Sequence, residues 1–367
     1  MPFTLLSASS ISGGVGDSLR PNAKPIIING DMAVAQRGTS NTSITSAGYY
    51  TCDRFKFNRD GIGTWTVTQE SLSSGNAYNN GFRKAIRLDC TSATASPSAA
   101  DNLSLITRLE GQDLQLFKKG TSNAEKFTLA FWVKSNKTGT SQVNLRDTDN
   151  TRLISATYTI SSANTWEHKV LNYAADTTGS FDNDNANSLQ IEWFLDSGTD
   201  FSSGTAPTSW EASDNTDRNA NNLALGNSTD NDFAITGVQL EVGEYTSTTI
   251  PPFQHETFSD NLRRCQRYYH KNDTTRWIGT YKRHDAQSNF YYTMPVAMRD
   301  TPTLSSSDLG HFSNMQSSLG SSLTGLSGYE YDAENGTMII DCDSNYSGTH
   351  TFIPSWESQV IEFSSEL

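Results

Sequence analysis

Residues 126–134 read KFTLAFWVK and residues 187–197 read NSLQIEWFLDS, and these two stretches decide the fold. In the first, Phe127, Leu129, Phe131 and Val133 fall on one side of an extended chain; in the second, Leu189, Ile191, Trp193 and Leu195 do so. Strict alternation is the pattern of a strand buried on one face, as in antiparallel sheets packed together. Similar runs occur at residues 64–70, 84–89, 102–109, 142–147, 152–160 and 165–173, and at Ile26, Ile27 and Ile28 before an Asn29-Gly30 turn. Short strands cut by turn residues predict a mainly β protein, with an antiparallel jelly-roll sandwich over residues 25–250. In residues 232–242, Phe233 and Ile235 sit on one phase while Val238, Leu240 and Val242 sit on the other, which places a β-bulge at Gly237.

The composition agrees. Of 367 residues, 47 are Ser, 42 Thr and 29 Asn, and only 18% are charged. Ser, Thr and Asn compete with helical hydrogen bonds, whereas Thr suits a pleated sheet. No run approaches the roughly 18 apolar residues of a membrane span, and residues 1–30 lack the basic start and apolar centre of a signal peptide. Synthesis in a cytoplasm without membrane insertion is therefore expected. Cys52, Cys90, Cys265 and Cys342 contain no C-x-x-C and read as small buried apolar residues. The net charge of −13 is uneven: residues 176–232 hold eleven Asp or Glu against one Arg, whereas residues 258–300 hold eight Arg or Lys against four Asp. Duplex nucleic acid needs a basic surface, so it is not an expected partner.

Residues 1–24 carry a Ser/Gly excess and no periodicity, and read as an arm or virion anchor that cannot fold alone. Residues 251–271 form a linker and one short helix, in which Phe258, Leu262, Cys265 and Tyr269 recur at helical spacing behind Ser259 or Asp260 as N-cap. Residues 272–367 read as a second, small β-sandwich-like domain, with strands near 289–298, 337–342, 349–353 and 359–363 and a Ser/Gly loop over 313–328. No internal repeat of 20 to 50 residues marks a solenoid.

Six segments in order carry a resemblance: IINGDMAVAQRGTS, YTCDRFKF, FTLAFWVKSNKTGTSQVNLRDTDNTR, DFAITGVQLEVG, PFQHETFSDNLRRCQRYY and MPVAMRDTPTL. Together, over roughly residues 25–304, the chain resembles bacteriophage tail-fibre proteins. The resemblance implies a jelly roll similar to carbohydrate-binding modules, a short helix and a small C-terminal β domain. It also implies a virion appendage, commonly a homotrimer, attached to other virion proteins by its N-terminal end and touching the host surface with its distal parts. The stripe of Phe258, Leu262, Cys265 and Tyr269 is the expected oligomer interface. Where carbohydrate-binding jelly rolls often hold calcium through an acidic residue of the last strand, this chain has Thr236-Gly237.

Motifs for nucleophilic hydrolysis, zinc proteolysis and phosphate cradling are missing from the sequence, and nothing favours any of the six histidines, so no catalytic residue and no cofactor is assigned. Oxygen-rich clusters make Asp147, Asp149, Asp182 and Asp184 the first candidates if a metal binds. Sugars are recognised by aromatic faces flanked by polar forks. Trp65, Trp132, Trp166 and Trp193 lie in alternating strands and read as core. Trp210 in the acidic loop and Trp277, Tyr281, Tyr329, Tyr331 and Trp356 in the distal domain are the carbohydrate-binding candidates, the distal group preferred. The function expected is a structural and host-recognition component of a phage virion that binds surface glycan without cleaving it. A glycan depolymerase and a stand-alone sugar-binding module are the alternatives.

Overall fold

The computed structural model describes residues 24–272, 280–284, 287–305, 323–333, 335–344 and 361–367. The chain divides into two units, Met1–Phe258 and Ser259–Leu367. In the first, the strands run β1 (Ser40–Ile44), β2 (Lys56–Asp60), β3 (Thr64–Ser71), β4 (Lys84–Ser92), β5 (Asn102–Glu110), β6 (Phe127–Lys134), β7 (Gly139–Asp147), β8 (Arg152–Ile160), β9 (Glu167–Tyr173), β10 (Asn187–Ser197), β11 (Glu211–Ala212) and β12 (Asp232–Val242). They form two six-stranded sheets, sheet A in the order β1-β3-β4-β12-β6-β9 and sheet B in the order β11-β8-β7-β10-β5-β2, with every paired neighbour antiparallel.

The inward faces make one core. Phe127, Leu129, Phe131 and Val133 from β6 meet Leu189, Ile191, Trp193 and Leu195 from β10, all fully buried. Phe131 meets the Trp193 ring edge-on at 5.6 Å. Burying a side chain of this size contributes about 1.5–3 kcal/mol, so the alternation seen in the sequence is the main source of the fold. The Trp65 indole stays in the core because its N–H donates to the Ile62 carbonyl at 2.8 Å. The bulge falls where the phase slips: β12 breaks register between Thr236 and Gln239, and Gly237 takes φ +61. A Cβ there would stand 2.6 Å from the Phe82 ring, so both the dihedral and the packing require glycine.

Three local expectations are corrected. Ile26, Ile27 and Ile28 are buried but not a strand, because the buried Asn29 ties the chain into a turn. Its Nδ2 donates to the carbonyls of Val34 and Asp53, and its Oδ1 accepts from the Val34 amide, each at 2.9 Å. Residues 165–166 lie outside β9, which starts at Glu167. Trp210 is not a surface platform but part of the core, its indole N–H donating to the Ala174 carbonyl at 2.8 Å.

In the second unit, a helix (Phe258–Gln266) is followed by β13 (Tyr269–Asn272), β14 (Thr280–His284), β15 (Gln287–Thr293), β16 (Thr303–Ser305), β17 (Leu323–Asp332), β18 (Thr337–Ser344) and β19 (Ile361–Ser364). They make a three-stranded sheet, β13-β19-β16, and a four-stranded sheet, β14-β15-β18-β17. The helix appears where its spacing placed it, but its stripe is not one open face. Phe258 is 60% exposed and Leu262 half-buried, whereas Cys265 is covered within the single chain. Tyr269 is likewise buried and belongs to β13, where it pairs with Ser364. Two of the four residues expected at an oligomer interface are thus already occupied. The end of the expected Ser/Gly loop is the start of β17; the strand expected at 349–353 and all but the last residue of the arm lie outside the described residues.

Candidate functional site

Sheet A buries apolar groups on its outer side as well. Ala85 and Ala234 leave room there, and Leu72, Ala77, Phe82 and Trp166 fill it, with Trp132 and Phe253 packed against them. The small side chains come from β4 and β12, so the sheet itself forms the floor. The walls come from the turn at Asn80–Phe82 and from residues 247–255, the Thr/Pro stretch that reads in sequence only as a linker. That stretch returns over the sheet because Gln239 Nε2 donates to the Pro251 carbonyl at 3.0 Å and Asn172 Nδ2 to the Tyr245 carbonyl at 2.9 Å.

Between floor and walls lies an open cleft of about 440 Å³, within the range of small-molecule sites. Trp132 on β6 and His168 on β9 are directly opposed across the strands, and their rings stack at 4.9 Å with 26° between planes. Facing them, Phe82, Phe253 and His255 form a triangle of ring contacts at 4.8 to 5.3 Å. None of the lining residues is Asp, Glu, Lys or Arg. Burial pushes the His168 pKa down, which keeps the imidazole neutral near pH 7. The lining is mixed, with Asn80, Ser247, Gln239 and the two histidines among the rings; Gln239 itself is 7% exposed, its Nε2 donating to Pro251 and its Oε1 shut off from solvent with no hydrogen-bond partner among the described residues. Asn80 and Ser247, both exposed on the walls, are the polar side chains that a ligand hydroxyl can reach.

The residues singled out in sequence are distributed otherwise. Trp65 and Trp193 are core, as read, and Trp166 is buried in the outer cluster, but Trp132 is half-exposed on the cleft. Its outward phase follows from its own alternation, since Phe131 and Val133 point inward. The signal was legible in KFTLAFWVK and was outweighed by the assumption that a tryptophan in a strand packs in the core. Tyr331 is half-buried, and its hydroxyl accepts from the Met298 amide at 2.6 Å, which commits it to closing its own unit. Tyr281 lies on β14 and Tyr329 on β17, but their side chains, with Trp277 and Trp356, lie outside the described residues.

The four metal candidates are not gathered around one point. Asp149 Oδ2 accepts from the Asp182 amide and Asp184 Oδ1 from the Ala186 amide, each at 2.9 Å, as loop-ordering contacts. Among the described residues, no group of three or more His, Cys, Asp or Glu could hold a metal ion. Asp147 instead pairs with a fully buried cation of the chain itself. Lys119 Nζ binds Asp147, lies 3.0 Å from Asp176 Oδ2, and donates to the Thr178 and Gly179 carbonyls at 3.3 and 2.7 Å. The Trp210 and Phe181 rings flank it at 5.0 and 5.2 Å. Burial would raise the Asp176 pKa, but hydrogen bonds from Arg152 and Lys119 outweigh it and hold it below the usual carboxylate range.

Comparison with known proteins found no matching family model and no matching curated protein. Among solved structures, the chain is similar to the enzymatically active domain of bacteriophage CBA120 tailspike protein 4, at 14% identity over 55% of this chain and 21% of that one, with a TM-score of 0.30. It therefore spans about a fifth of that domain's length. It is also similar to a family 61 carbohydrate-binding module in complex with β-1,4-galactotriose, at 6% identity over 60% of this chain and 99% of that one, TM-score 0.28. A third is the apo form of a cyclase from Fischerella sp., at 11% identity over 60% and 98%, TM-score 0.33.

Proposed function

We propose that the chain binds a neutral glycan in the cleft on sheet A, without cleaving it, as a host-recognition component of a phage fibre. The observation that carries the sugar reading is the stacked Trp132 and His168 pair in a cleft without charged walls, with Asn80 and Ser247 on its rim. A pyranose matches that surface, with an axial C–H face for the rings and hydroxyls for the polar side chains of the rim. Cleavage of a glycosidic bond generally uses two carboxyl groups flanking it, and no carboxylate lines the cleft. The virion role is supported by the ordered sequence segments that resemble tail-fibre proteins; assembly as a homotrimer attached through residues 1–24 belongs to the same reading.

Titration of the protein against neutral β-linked oligosaccharides tests the sugar reading, with Trp132→Ala as the paired variant and reducing ends measured in parallel. Binding that needs Trp132, with no reducing ends released, is the expected result. Release of reducing ends would favour the depolymerase alternative, and equal binding by Trp132→Ala would remove the cleft. Light scattering tests the assembly, for which a trimer of the 40.3 kDa chain is expected and a stable monomer is the contrary result.

A further inference from the structure

The outer face of sheet B carries an arginine whose side chain has no hydrogen-bond partner among the described residues. The registers place Leu153, Arg146, Gln190 and Arg108 side by side across β8, β7, β10 and β5, with Ser155, Asn144, Glu192 and Ile106 in the next row. Arg218 comes down onto this face and pairs with Glu192, Nη2 at 2.7 Å from Oε1 and Nε at 3.2 Å from Oε2. Asn144 Nδ2 donates to Oε2 at 3.1 Å and Ser104 Oγ to Oε1 at 3.5 Å, so each Glu192 oxygen already accepts two donors. Arg108 Nε donates to Gln190 Oε1 at 3.0 Å.

Arg146 lies among these groups with no hydrogen bond or ion pair to any described residue. Its Nε is shut off from solvent, while its terminal nitrogens are the part that solvent reaches. Burial works against its charged form; of the charges acting on it, Glu192 favours that form, and Arg218 and Arg108 oppose it. A guanidinium does not give up its proton in a protein, so the group stays charged, partly dehydrated and beside two like charges. Nε stays closed, so a planar oxyanion would meet the two terminal nitrogens, edge to edge, in the paired geometry that guanidinium favours.

We propose that Arg146 anchors a second ligand site, on the outer face of sheet B, that takes the carboxylate of an acidic sugar of the hexuronate class. The carboxylate follows from the guanidinium; the sugar that bears it rests on the glycan-binding reading above.

The test titrates the full chain with oligogalacturonate and oligoglucuronate, with their methyl esters, and with sodium acetate, all at matched ionic strength. At least one acidic oligosaccharide should bind, its ester should not, and Arg146→Gln should weaken the acid at least tenfold without lowering the melting temperature. Arg146→Lys, which keeps the charge but not the planar fork, should recover only part of the affinity. Equal binding of acid and ester, no binding of either acid, or an unchanged affinity in Arg146→Gln would each overturn the site. Full displacement of the oligosaccharide by acetate at equal carboxylate concentration would overturn the sugar assignment. Neutral oligosaccharide binding, read in the same variants, separates the two readings: its loss in Trp132→Ala alone concerns the cleft, and loss of acid binding in Arg146→Gln alone concerns this face.

Discussion

The two outer faces of the sandwich solve opposite problems. Sheet A leaves an uncharged, aromatic-lined hollow open between Trp132 and Phe82, whereas sheet B covers its outer centre with polar groups held in a network around Glu192. The strands are alike in length and pairing, so the difference lies in what the outward phase carries and what the connecting segments lay on it. Ala85, Ala234 and Trp132 on sheet A leave surface for a ring; Gln142, Asn144 and Glu192 on sheet B require partners from the polypeptide, and the residues around Arg218 supply them. The comparison assigns recognition by stacking to sheet A, and to sheet B a structural ion-pair network at whose edge Arg146 lies.

The largest expected effect tests the structural half. Glu192 and Lys119 are fully buried charges with partners, and removing one member of such a pair leaves the other uncompensated. Glu192→Ala and Lys119→Met should each lose about 3–5 kcal/mol in urea unfolding. A loss below about 1 kcal/mol would mean that these networks do not hold the sheet B side together.

Acid should act on the same groups. Burial would raise the Glu192 pKa, but the charge and hydrogen bonds of Arg218, with Arg146 and Asn144, outweigh it and hold it below the ordinary value of 4.5. The unfolded carboxyl then takes up a proton before the folded one, so this contribution is complete above about pH 4.5 and lost as the pH falls through the depressed folded value. Asp176 acts in the same direction from its ordinary value of 3.8. Unfolding curves that do not change between pH 5 and pH 3 would contradict the direction of both shifts.

Sheet A should respond in binding rather than folding. Trp132→Ala removes one ring from a half-exposed platform, and aromatic contacts of this kind are worth about 0.5–1.5 kcal/mol, or roughly a two- to tenfold loss of sugar affinity. Its urea midpoint should change far less than that of Glu192→Ala. The reverse ranking would assign the roles of the faces the other way round.

How far the sequence reaches differs between the faces for a physical reason. The inward phase of β6 and β10 repeats every second residue, and the Gly237 slip interrupts that phase in a way that only a bulge repairs, so both were visible in the chain. The cleft was not, because its walls come from residues 80–82 and 247–255, far apart in sequence, and a Thr/Pro stretch carries no mark of the sheet it folds over. Trp210 shows the same limit from the other side. Its neighbours SGTAPTSWEASDN suggest a solvated loop, yet the indole is buried against Lys119, a cation paired with Asp147 and Asp176 that the chain supplies from 91 residues upstream.

The smallest effect concerns His168. Its folded pKa is depressed by burial, so the unfolded imidazole takes up a proton first as the pH falls below 6.5. Stability should be complete above that pH and decline modestly as the pH falls toward the depressed folded value, and His168→Gln should remove this limb. A limb of equal size in His168→Gln would trace it to another group.

A crystal of the full chain soaked with a neutral β-linked tetrasaccharide tests the central assignment most directly. A sugar ring stacked on Trp132 and His168, with a hydroxyl within about 3.2 Å of the Asn80 or Ser247 side chain, is the predicted result. A well-ordered saccharide on the aromatic strands of the second unit, with the sheet A cleft empty, would contradict it.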